Sequence, residues 1–140
     1  NLQTAINLVQ SLRPGPSLSL DQIKFVPRHA GEMRYHLLTG SLEINKEWYD
    51  RLDNCGNLQR FWAELVGALA NETYHHRHRT DFGKGAEIRS LEFSLETLRA
   101  WRDLIAPLPD FGQSSDYTPI DEAISTSMNA LLNMKGTWRQ

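Results

Sequence analysis

The stretch LQRFWAELVGALANETYHHRHR, residues 58–79, decides how the chain is read. Leu58, Phe61, Trp62, Leu65, Ala68 and Leu69 recur at steps of three and four, which places them on one helical face. Asn57 stands just before the stripe and suits an N-cap, because its side chain can accept from an orphan amide of the first turn. The helix is expected to run to about Arg79, with Gly83 and Gly85 breaking the pattern beyond it.

A second stripe follows downstream. Ile88, Leu91, Leu95, Leu98, Trp101 and Ile105 predict the longest helix over 87–106, stopped by Pro107 and Pro109. Thr118-Pro119 is a start signal, with Asp121 and Glu122 in the first turn, where the helix dipole favours acids. Ile120, Ala123, Ile124, Ser127, Met128, Leu131 and Met134 carry that helix to about Lys135, with Gly136 just past its end. Upstream, Leu2, Ala5, Ile6, Val9 and Leu12 predict a helix over 2–13, ended by Pro14-Gly15-Pro16.

Residues 17–45 read two ways. Met33, Tyr35 and Leu37 alternate, as do Leu42 and Ile44 beyond Thr39-Gly40, which is a β-hairpin pattern. Met33, His36 and Leu37 also fit a helical face, and a lone hairpin is marginally stable, which tips the reading toward helix. Residues 46–53 predict a helical turn or two carrying Trp48, Tyr49 and Leu52. Amphipathic helices of this length need partners for their apolar faces. The expectation is therefore one all-α domain over 1–140, a compact antiparallel bundle of about five helices.

Composition narrows the function classes. The chain is 40% hydrophobic and 23% charged, a globular balance. A net charge of −2 argues against a generic nucleic-acid coat. The charge is asymmetric, however. Arg77, Arg79, Lys84 and Arg89 face only Asp81 and Glu87 between His75 and Arg89, whereas Asp103 to Met134 holds five acids and no Lys or Arg. A single cysteine, Cys55, cannot form an internal disulfide and fits a reducing, cytoplasmic compartment. No apolar run reaches the ~18–20 residues that span a bilayer, so no membrane partner is expected. The chain starts at Asn rather than Met, which leaves a preceding segment open. The sequon Asn71-Glu72-Thr73 carries no weight without other secretory signs.

The run Tyr74 to Arg79 is the richest in chemistry. As metal ligands, His75 and His78 share a helical face but His76 does not, and further ligands would have to come from His36, Asp81 or Glu72. No metal or cofactor is expected. As an anion site the run is better suited. Arg77 and Arg79 offer planar forks, Lys84 lies between two glycines, and Tyr74 and Phe82 are candidate stacking rings. A solvated basic helix end needs no ligand at all. Catalysis has thin support. No serine sits in a Gly-x-Ser-x-Gly setting, Asp121 and Glu122 point apart, and no Arg has a His four to six residues on.

The reading that emerges is a small non-catalytic binding subunit. Its basic corner (His75, Arg77, His78, Arg79, Lys84, Arg89, extended by Arg99 and Arg102) would meet RNA, single-stranded DNA or an acidic protein surface. Asp110, Asp116, Asp121, Glu122 and Trp138 would form a partner interface, including head-to-tail self-association within a ribonucleoprotein assembly. The alternatives are a protein–protein adaptor, inhibitor or immunity module, and a metal-dependent enzyme using His75 to His78.

Overall fold

Leu58 to Arg77 form one helix of 20 residues, and Asn57 caps it by accepting from the Arg60 amide at 3.0 Å. This helix, α3, is the axis of the molecule. The computed structural model describes residues 2–27, 31–105 and 118–139. Around α3 stand α1 (Leu2–Leu12), α2 (Lys46–Asp53), α4 (Lys84–Ile105) and α5 (Thr118–Arg139). A three-stranded sheet joins them: β1 (Ile23–Val26), β2 (Met33–His36) and β3 (Ser41–Asn45).

The helices pack as their stripes require. Gly67 of α3 accepts from Ser94 of α4, and His75 of α3 lies 3.6 Å from Glu87 of α4, so the two run antiparallel. Arg102 pairs with Asp121 and Lys135 with Glu92, which sets α5 antiparallel to α4. Helix α1 lies across α3 and α4, burying Leu2, Ala5, Ile6 and Val9. Leu65, Leu69 and Leu98 are at or near zero exposure in the core, and Trp101 is buried there too. Trp62, expected inside, is only half-buried.

The expectation of an all-α bundle is corrected here: the fold is mostly helical with a mixed sheet. Residues 33–45 form the hairpin rather than a helix. Its strands β2 and β3 are antiparallel, pairing Met33 with Ile44 and Tyr35 with Leu42. The objection that a lone hairpin is marginal falls away, because β1 adds a parallel strand on the far side of β3. Alternation then has a physical reason. Leu42 and Ile44 of the central strand are fully buried toward the helices, while Glu43 faces outward between Lys24 and Arg34 on the flanking strands. Opposite charges placed directly across strands in this way support the pairing. The hairpin turn closes at Gly40, whose φ of 73° lies in the left-handed region that glycine adopts without strain.

Boundaries shift in smaller ways. Helix α4 begins at Lys84 rather than 87, and α5 continues through Gly136 to Arg139. Trp138 therefore belongs to the last helix and does not follow it.

Candidate functional site

The basic corner is built from the C-terminal end of α3, the turn after it and the start of α4. The structure gathers the residues from His75 to Arg89 around this corner and gives most of them partners within the chain, whereas Arg99 and Arg102 lie ~22–27 Å farther along α4, with Arg102 on Asp121. Arg77 Nε donates to the Pro16 carbonyl at 2.8 Å, its Nη2 reaches Gln10 at 3.2 Å, and its guanidinium lies over the Phe93 ring. Arg79 donates to the carbonyls of Leu37 and Leu38, both at 2.9 Å, and so closes the hairpin turn onto α3. Arg89 forms a two-pronged pair with Asp81 at 2.6 and 2.7 Å. The Tyr74 hydroxyl donates to the same carboxylate at 2.5 Å. The hydrogen bonds from Arg89 and Tyr74 hold the Asp81 carboxyl down at about 2. Lys84 and Arg99 are exposed, and among the described residues neither has a partner.

The histidines diverge. His75 is buried with Nε2 3.6 Å from Glu87, and burial lowers its pKa. His76 bonds the Tyr35 hydroxyl through Nδ1 at 2.8 Å, and burial lowers it also. His78 stacks on Tyr74 with ring centroids 4.4 Å apart. Among the described residues, no group of three or more His, Cys, Asp or Glu is placed to hold a metal.

The acidic end is also engaged internally. Asp121 pairs with Arg102 at 3.1 Å and Glu122 with Arg60 at 3.0 Å. Asp110 and Asp116 lie outside the described residues, as does the side chain of Trp138.

A second site escaped the sequence reading. A cavity of about 530 Å³ lies between α3, α4, α5 and the segment Gly31–Met33. Its floor is the face of α3 carrying Ala63, Gly67 and Ala68, and at Gly67 the helix lies close against Ser94 and Leu98 of α4. Leu91 and Leu98 of α4 and Ala123 of α5 add apolar wall. Four carboxylates, Glu32, Glu64, Glu72 and Glu122, line it against one guanidinium, Arg60. Arg60 is bound to Glu122, so among the described residues the other three acids have no cation of their own in the groove lining.

Glu72 is the unusual member. It projects from α3 at the point where this groove meets a smaller cavity of about 250 Å³ beside Tyr35, His75 and Glu87. Among the described residues no group donates a hydrogen bond to its carboxyl. Burial, with Glu87 and Glu32 adding like charge, pushes its pKa from 4.5 to about 8. Glu32 stands at the solvent-open rim, crowded by protein, and burial and then Glu64 raise its pKa as well. One signal was available in the sequence: Glu64, Gly67, Ala68, Asn71 and Glu72 share a helical face at steps of three and four.

No protein-family model matches the chain, and neither curated proteins nor solved structures give a match. Among the described residues, no helix is long and apolar enough to cross a membrane.

Proposed function

We propose that this chain is a non-catalytic protein-binding domain whose working surface is the groove between α3, α4 and α5. The observation that carries the reading is the commitment of Arg77, Arg79 and Arg89 to partners inside the chain, which leaves the acidic groove as the larger unfilled surface. A guanidinium that already holds a carboxylate or carbonyl must give up those bonds to take a phosphate. A concave surface with an apolar floor and a few convergent polar groups is the usual form of a ligand site. The adaptor or inhibitor class suits such a surface better than a phosphate backbone does.

Binding of single-stranded RNA and DNA oligonucleotides across a salt series tests this. The expected result is no binding tighter than the ~10⁻⁴ M end of the non-specific range at physiological salt. Micromolar or tighter binding, with a salt slope that falls by about 1 for each of Lys84→Glu and Arg99→Glu, overturns it in favour of a nucleic-acid subunit. Those two cations are the right ones to reverse, because they are exposed and hold no part of the fold.

A further inference from the structure

We propose that the end of the molecule carrying the hairpin turn and the basic corner docks on an anionic lipid surface. Leu38 and Phe82 enter the headgroup boundary, and Arg77, Arg79 and Lys84 supply the attraction. None of these five residues lines the groove, so this surface is separate from the one assigned to a protein partner.

Among the described residues, Leu38 and Phe82 are the most exposed of the large hydrophobic side chains, at 96% and 74%. A single apolar side chain left in water is ordinary, but two on adjoining turns call for a cause. Their turns are held side by side. Arg79, three residues before Phe82, donates to the carbonyls of Leu37 and Leu38, both at 2.9 Å. Gly40 of the same turn lies so close to this guanidinium that an added Cβ would stand 3.2 Å from Nη1. Leu37 and Phe82 also line one cavity, the smaller one of about 250 Å³. Neither Leu38 nor Phe82 belongs to the apolar core, so the fold gives no reason for their chemistry. Apolar side chains that enter the headgroup boundary, and cations beside them that attract anionic lipid, add their contributions.

Charge selects the occupant. Arg77 and Arg79 give their hydrogen bonds to neutral acceptors on Pro16, Gln10, Leu37 and Leu38, so their forks are occupied while their charge is not cancelled. Lys84 is exposed and adds to them. Asp81 is held by Arg89, which leaves Glu87 as the counterweight. A single-stranded nucleic acid would need the forks for its phosphates and rings for its bases, and Leu38 has no π-face to offer. An anionic leaflet needs neither. It attracts through its surface potential, worth about fivefold in affinity for each nearby Lys or Arg, and it takes aliphatic side chains as well as aromatic ones. The expectation of no membrane partner rests on the lack of a spanning run, which a surface contact does not use.

The test floats the whole chain with vesicles of phosphatidylcholine alone, and of phosphatidylcholine with about one-third phosphatidylserine. Binding to the mixed vesicles is expected to exceed binding to the neutral ones by at least about tenfold at low salt, and to fall as salt rises. Leu38→Ser and Phe82→Ser are each expected to weaken it by about tenfold, and Lys84→Gln by about fivefold. All three side chains are exposed, so the variants are expected to unfold in urea at the parent's midpoint, which separates lost binding from lost fold. Failure of the chain to float with the mixed vesicles overturns the proposal. A Leu38→Ser, Phe82→Ser double variant that binds like the parent also overturns it, since no side chain then enters the interface. Equal binding to both kinds of vesicle overturns the choice of an anionic surface. Single-stranded RNA that binds tighter than the mixed vesicles, and loses affinity with Phe82→Ser but not with Leu38→Ser, overturns it in favour of a nucleic acid.

Discussion

Glu72→Gln is expected to stabilise the protein by ~3 kcal/mol at about pH 7, measured by urea unfolding. The folded state keeps a proton on Glu72 up to about pH 8, whereas an unfolded glutamate releases it near 4.5. Between these values the folded chain binds more protons than the unfolded chain, so stability falls as pH rises through the window. Below it both states are protonated and the variant should equal the parent. Above it the full penalty is present and the difference should level off. Stability falls by about 1.4 kcal/mol for each pH unit inside the window, and neutral pH lies about two and a half pH units above its lower edge. Most single substitutions destabilise, so a gain of this size with this pH dependence is diagnostic. Equal stability of parent and variant from about pH 4 to about pH 9 would show that Glu72 is solvated and that the groove floor is misread.

Ile44→Ala is expected to cost ~2–4 kcal/mol, close to the loss for Leu65→Ala in the axial helix. Ile44 has zero exposure at the centre of β3, paired with Phe25 on one side and Met33 on the other. It belongs to the same apolar cluster as Leu65 and Leu69 of α3 and Trp101 of α4. Phe25→Ala makes a useful contrast, since that ring is 44% exposed and should lose only about 1 kcal/mol. A loss below about 0.5 kcal/mol for Ile44→Ala would mean the sheet decorates the helices and is not part of their core.

The helical part of the fold was legible because its signals are local. Asn57, the stripes of α3 and α4, and Thr118-Pro119 each act within a few residues of themselves. The sheet was not, because its decisive partner is distant. Ile23–Val26 pairs with residues 42–45, and nothing near Met33 or Leu42 records that a third strand arrives. With local spacing alone, Met33, His36 and Leu37 fit a helix as well as a strand. Gly136 misled in the opposite sense, as a glycine tolerated inside α5.

The site followed the same rule. Arg77 and Arg79 look like free cations in sequence, but their acceptors are Pro16, Leu37 and Leu38, roughly forty or more residues away. The Asp81–Arg89 pair was closer at hand, eight residues apart, and turns part of the basic corner into a structural clasp. In the sequence Glu72 stood out only as the middle of a sequon and as one candidate further ligand for the histidines. Its character comes from Glu32 and Glu87 on two other elements, and only the fold brings these together.

The raised pKa of Glu72 depends on a half-buried carboxyl crowded by Glu87 and Glu32, with no donor among the described residues. Carboxyl ¹³C NMR of glutamate-labelled protein, with Glu72→Gln to assign the resonance, reads its titration directly. A midpoint near 8 is the expected result. A midpoint near the ordinary 4.5 would contradict the desolvation of this group and the stability gain expected of Glu72→Gln together.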